Sequence, residues 1–176
     1  MGLDMYLRRK HCLYGEELED IVIKGKLKDK IKKDNIVNIT EEILYWCKAN
    51  HIHQWFVNNV QDGNDNCKEY YVSEKQLEKL LEICKKVRDA SRLVPGKIHT
   101  ETRFINGKRE QLFENGKIIE DPSIAQKLLP VTEGFFFGSK EYNQYYIASI
   151  QETIESLEEL LKQGELYADI YYSSSW

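Results

Sequence analysis

At 176 residues the chain is long enough to bury one hydrophobic core, and a single domain over 1–176 is expected. Apolar residues at 41% against 31% charged exclude collagen-like, mucin-like and wholly disordered chains. With 25 basic and 29 acidic side chains, net −4, and no run near the roughly 18 apolar residues of a membrane span, neither direct nucleic-acid binding nor a membrane partner is expected.

The opening, MGLDMYLRRKH, lacks the apolar core of a secretory signal. Leu3, Met5 and Leu7 alternate with Gly2, Asp4 and Tyr6, which predicts a first strand with one buried face; residues 8–18 read as irregular. The stretch 24–33, KGKLKDKIKK, carries six lysines and reads as a lysine-studded edge strand or a solvated helix, with anion capture as the alternative. The span 40–60 reads as the first helix, with Thr40 as N-cap and Glu41 and Glu42 at the positive end of the dipole. Its apolar residues, from Ile43 and Leu44 through Trp46, Cys47 and Ile52 to Phe56 and Val60, point in nearly all directions, so this helix is expected at the centre of the domain.

A turn at 61–66 and a short strand at 69–72 follow, and Ser73 with Gln76 forms a capping box for a second helix ending near Ala90. Leu77, Leu80, Leu81, Cys84 and Val87 give that helix one apolar stripe. Pro95 and Gly96 break the pattern. Two Asn-Gly pairs, at 106–107 and 115–116, predict a three-stranded β-meander over 97–121, inserted in the main domain. A short helix or loop at 121–130 precedes GFFFGS, with Ser139 as N-cap of a third helix. Tyr142, Tyr146, Ile150, Ile154, Leu157 and Leu161 line one face of it and Gly164 ends it. Leu166, Ala168, Ile170 and Tyr172 share one side of a last strand, expected to pair with the first. The fold class is α+β: an antiparallel sheet around a buried central helix, with two further helices and the meander.

The four cysteines, Cys12, Cys47, Cys67 and Cys84, form no CxxC pair, so reduced thiols in a cytoplasm are expected, with Cys47 and Cys84 as small core residues. GxSxG, GxxxxGK[ST], HExxH and GxGxxG are all missing. His51 and His53, two apart on a helix, lie on nearly opposite faces and cannot chelate one ion together. DGNDN at 62–66 opens like a calcium loop, but its sixth position is Cys67 and its twelfth Ser73, so it reads as a turn. A dyad of Cys47 with His51, one helical turn apart, competes with a buried cysteine beside a structural histidine, and the latter is preferred. No catalytic residue, metal ligand or cofactor is assigned.

Polar side chains at Lys48, Asn50, His51 and His53 on a buried helix need partners or a ligand. Free N–H groups at Gly138-Ser139, at a predicted helix start, would suit an anion. Aromatic residues cluster around both. Lys48, His51, His53, Trp55, Ser139, Tyr142 and Trp176 are therefore the candidate ligand contacts, for a phosphate-bearing ring compound. Histidines hydrogen-bonded within the core are the competing reading.

The blocks MGLDMYL, YWCKANHIHQWFVNNVQDGNDNCKEYYVS, GFFFGSKEYNQYY and YYSSSW resemble, in order and spacing, a family of small bacteriophage and prophage proteins without an assigned activity. Cys47 stands where relatives often carry arginine. The resemblance implies a non-enzymatic binding protein in the cytoplasm of an infected bacterial cell, sequestering a small phosphorylated nucleotide-like immune signal of the host. The alternatives are a protein–protein inhibitor of a host defence factor, acting through 24–33 or 97–121, and an enzyme built on His51 and a carboxylate. A homodimer is the base-rate expectation.

Overall fold

The structure, a computed structural model, describes residues 2–13, 21–105, 108–134, 137–163 and 168–176. Among these it has six strands and four helices, in chain order β1 (Asp4–Cys12), β2 (Asn38–Cys47), α1 (Asn50–Asn59), β3 (Tyr70–Tyr71), α2 (Glu74–Ala90), β4 (Leu93–Ile105), β5 (Lys108–Ile119), α3 (Ser123–Leu128), α4 (Gln144–Lys162) and β6 (Asp169–Ser175). The fold is α+β with antiparallel sheets, as expected.

The larger sheet has the order β2-β1-β6-β3. Leu3, Met5 and Leu7 are fully buried, as the alternation requires, and Asp4 of β1 lies opposite Ser175 of β6, so the first and last strands do pair. The buried face of the sheet joins α1, α2 and α4 in one core. Phe56 of α1 stacks on Tyr172 of β6 with ring centroids 3.9 Å apart and planes at 5°. Trp46 Nε1–H donates to Thr153 Oγ1 of α4 at 2.8 Å, satisfying the indole inside the core. The stripes of α2 and α4 hold for Leu77, Leu80, Cys84 and Val87 and for Tyr146, Ile150, Ile154 and Leu157, all buried; Leu81 and Leu161 are half-buried, and Tyr142 precedes α4, which starts at Gln144. Ser73 N–H donates to Gln76 Oε1 at 2.9 Å, the back-reaching half of the capping box.

Several expectations are corrected. Residues 8–12 are not irregular but continue β1, extended by pairing with both β2 and β6. The 24–33 stretch is neither strand nor continuous helix: it forms a 3-10 turn at Gly25–Leu27, and another 3-10 turn, Lys33–Asn35, begins at its end. The predicted 40–60 helix is two elements. Thr40 to Cys47 belong to β2, where Leu44 and Trp46 face the core and Tyr45 and Cys47 face solvent, a period of two. The chain breaks at Lys48, in the left-handed region (φ 59°), and the helix begins only at Asn50. Seven of its ten residues are buried, so it is indeed enclosed on most sides, though short. Cys47 is exposed rather than part of the core, and it sits on a strand and not one helical turn before His51.

The meander is a two-stranded hairpin, β4–β5, that forms its own sheet. Pro95 and Gly96 lie within β4, and Asn115-Gly116 is not a turn but sits mid-strand opposite Lys97 and Gly96. The glycines are there for side-chain room. A Cβ on Gly116 would come within 2.2 Å of Ile98 Cδ1, and one on Gly96 within 2.7 Å of Ile118 Cγ1. Each isoleucine lies across the facing glycine. The Asn-Gly at 106–107, Gly164 and Leu166 fall outside the described residues. Ser139 does not cap α4. That role belongs to Asn143, whose Oδ1 accepts from the N–H of Tyr145 (2.9 Å) and of Tyr146 (3.3 Å).

Candidate functional site

The left-handed turn at Lys48 swings the chain from the sheet edge into α1, held by Lys48 N–H donating to Leu3 O at 2.7 Å. Asn50, 1% exposed, then anchors the segment that precedes α4. Its Nδ2 donates to the carbonyls of Phe137 and Ser139, each at 3.0 Å, and its Oδ1 accepts from Thr132 N–H at 3.0 Å. Gly138, at φ 96°, passes so close that a Cβ there would meet Lys48 Cβ at 2.8 Å and Lys48 O at 2.9 Å. The segment 137–141 is thereby laid across the start of α1.

Two cavities flank that segment. One, of about 240 Å³, lies where the N-termini of α1 and α4 converge, and Lys48, His51, Ser139, Glu141, Tyr145 and Ser149 are among its walls. The other, of about 630 Å³, opens toward the hairpin, against His99, Thr102, Gln111, Phe113 and Lys140. Lys48, Gly138, Ser139 and Glu141 line both. The hairpin is tied to this wall by His99 N–H, which donates to the Glu141 carboxylate at 3.1 Å, and by Ile119 N–H, which donates to Tyr142 O at 2.9 Å.

Electrostatics in the smaller cavity are set by Lys48, by His51 and by the Glu141 carboxylate, which accepts from His99 N–H at 3.1 Å and from Asn143 Nδ2–H at 3.3 Å. Lys48 is exposed and makes no ion pair among the described residues. His51 is 5% exposed, and burial pushes its pKa down to about 3, so the ring is neutral at pH 7. Ser149 Oγ donates to Tyr146 O at 2.9 Å, which leaves it to accept from His51 Nε2–H at 3.1 Å and fixes that tautomer. Ala49, at the N-cap of α1, offers no side-chain oxygen to the first turn.

Of the seven predicted contacts, Lys48, His51 and Ser139 meet at one cavity. His53 does not reach it. Its ring is fully buried, with Nε2–H donating to Asp65 Oδ2 at 2.9 Å and Nδ1 accepting from Tyr172 O–H at 2.7 Å. The other oxygen of Asp65 accepts from Trp176 Nε1–H at 2.9 Å, so Trp176 belongs to this second network. His53 is thus a core histidine stitched to its neighbours. Trp55 borders a separate cavity of about 230 Å³ between α1 and the end of α3. Tyr142 packs edge-on against Tyr146 and accepts from Val131 N–H at 3.1 Å.

Sequence reasoning missed Ser149, Glu141 and Tyr145, and the hairpin residues His99 and Phe113. Ser149 was visible as a hydroxyl three residues beyond Tyr146 of the α4 stripe. The hairpin residues join the site only through tertiary contact. Asp65, in the loop that opens like a calcium site, is committed to His53 and Trp176, and no group of three metal-ligating side chains occurs among the described residues.

No family model, curated protein or solved structure matches the chain. The class of molecule rests on the fold and the paired cavities: an α+β protein with antiparallel sheets, in which no described helix is long and apolar enough to cross a membrane.

Proposed function

We propose that this protein binds a small anionic, nucleotide-like molecule in the paired cavities around Lys48, as a binding protein and not a catalyst. The observation that carries the reading is Lys48 itself, a cation without an ion pair among the described residues on the wall common to both cavities. The N-termini of α1 and α4 converge beside it and add positive potential. Phe113, half exposed on the larger cavity and edge-on to His99 at 5.6 Å, offers a face to an aromatic ring. A phosphate at Lys48 and a ring at Phe113 make one ligand with two ends. Neutral His51, bonded to a hydroxyl rather than a carboxylate, favours a binding role over general-base chemistry. With the phage-family resemblance, the ligand is a phosphorylated signal of the host cell, held out of circulation.

The test is thermal melting with a panel of mono-, di- and cyclic nucleotides. At a ligand concentration about a hundredfold above Kd, a rise of roughly 5–10 °C is expected. Lys48→Ala abolishes it. No shift across the panel at millimolar concentration overturns the reading.

A second reading, inhibition of a host protein, is favoured by the hairpin's forming a sheet apart from the main one. It requires a stoichiometric complex with a purified host factor that is lost when 97–115 are replaced by a short linker.

A further inference from the structure

Between β1 and β2 the chain from 21 to 37 reads IVIKGKLKDKIKKDNIV. Leu13 N–H donates to Val37 O at 3.1 Å, one step beyond the Cys12–Asn38 pair, which ties the C-terminal end of this flap to the end of β1. None of its residues is buried. Val22 and Val37 are 71% exposed and Leu27 52%, while the aliphatic residues of β1 are at 0%. Ile31 N–H donates to Leu27 O at 3.2 Å, which places Leu27 and Ile31 one turn apart on one side. Around them stand Lys24, Lys26, Lys28, Lys30, Lys32 and Lys33 against Asp29 and Asp34, in a protein whose net charge is −4.

The composition selects the partner. The flap has no arginine and no aromatic residue. A single-stranded nucleic acid is held by aromatic stacking and by guanidinium groups, and neither is present. The four carboxylates of 16–20, EELED, precede the flap in sequence, outside the described residues, and offset its lysine excess. Charge alone therefore does not decide; the exposed aliphatic side chains do. A surface that offers negative headgroups with hydrocarbon a few ångströms beneath them satisfies both sets of side chains at once. We propose that the 21–37 flap seats the protein on a bilayer rich in anionic phospholipid. The sequence-based expectation of no membrane partner followed from the lack of a span, and contact in the interfacial plane needs none.

Co-sedimentation of the full chain with lipid vesicles tests this. The protein is expected to sediment with phosphatidylcholine vesicles containing about 30% phosphatidylglycerol at low salt, and not with pure phosphatidylcholine. Replacing Lys24, Lys26, Lys28 and Lys30 by glutamine lowers the bound-to-free ratio by at least ~100-fold, at roughly fivefold per lysine. Replacing Leu27 and Ile31 by serine lowers it by ~10-fold or more, with the melting temperature of the free protein unchanged because both side chains are exposed. Absence of the wild-type protein from the anionic pellet overturns the proposal, as does a serine variant that sediments like wild type. Retention by a single-stranded oligonucleotide in place of the vesicles assigns the flap to nucleic acid and overturns it too.

Discussion

Asn50 is the residue whose loss should be felt both in stability and in the site. Its side chain makes three hydrogen bonds to the 132–139 segment while almost fully buried. At about 1 kcal/mol each, Asn50→Ala removes about 3 kcal/mol, which in a chain of this size lowers the melting temperature by roughly 6–12 °C. Asn50→Asp is the sharper test. Its carboxylate would replace an amide that donates to two carbonyl oxygens, those of Phe137 and Ser139. Ionisation there is opposed, so the folded-state pKa of the new carboxyl lies above its unfolded value near 4. A raised folded pKa means the variant is least impaired below about pH 4, where the protonated acid can donate, and loses stability as pH rises. Urea unfolding followed by tryptophan fluorescence at pH 4.5 and pH 7.5, with the wild type measured at each pH, gives the difference. Asn50→Asp within about 0.5 kcal/mol of wild type at pH 7.5 would refute the anchoring role, since substitutions that small in effect belong to surface positions.

His51 supplies a pH dependence of opposite sense. Burial depresses its pKa from 6.5 to about 3, so between those values the unfolded chain binds a proton that the folded chain does not. Stability then falls as pH drops, by about 1.4 kcal/mol per pH unit; His51→Asn flattens the slope, and an NMR titration placing the ring near 6.5 contradicts the burial. Gly138→Ala forces a Cβ into Lys48 at a backbone angle of 96°, whereas Gly25→Ala, at 70°, meets nothing within 4 Å. The first variant should lose ~2–4 kcal/mol and the second only the ~1–2 kcal/mol of left-handed strain, so equal melting temperatures would dismiss the Gly138–Lys48 contact. Among thiols, Cys12, Cys47 and Cys67 are exposed while Cys84 is buried with its pKa pushed up to about 12. A thiol reagent should therefore modify three cysteines quickly and the fourth only on unfolding, and four fast reactions would place Cys84 wrongly.

Elements with one buried face were legible from period alone. Leu3, Met5 and Leu7 marked a strand, and the stripes of α2 and α4 marked helices, because each residue's side of the element follows from its spacing. The 40–60 span failed because a strand and a helix meet there without punctuation. Leu44 and Trp46 do alternate with Tyr45 and Cys47, but the break falls on Lys48, a lysine in a left-handed conformation that ordinarily favours glycine or asparagine. The hairpin failed for the converse reason. Asn115-Gly116 has the chemistry of a turn, but Gly116 is spent on making room for Ile98, a contact set by the facing strand. At the site, Lys48, His51 and Ser139 come to one cavity, while His53 was absorbed by Tyr172 and Asp65, a partnership over 100 residues in sequence on one side that no local pattern encodes.

The strand order β2-β1-β6-β3 puts the two elements most distant in sequence side by side at the middle of the sheet. A ribosome must therefore extrude nearly all of these residues before β1 can acquire its second neighbour, and until then one edge of β1 keeps its backbone N–H and C=O groups unpaired. Trimming β6 would remove an inner stave rather than an outer one, splitting β3 from the β2–β1 pair.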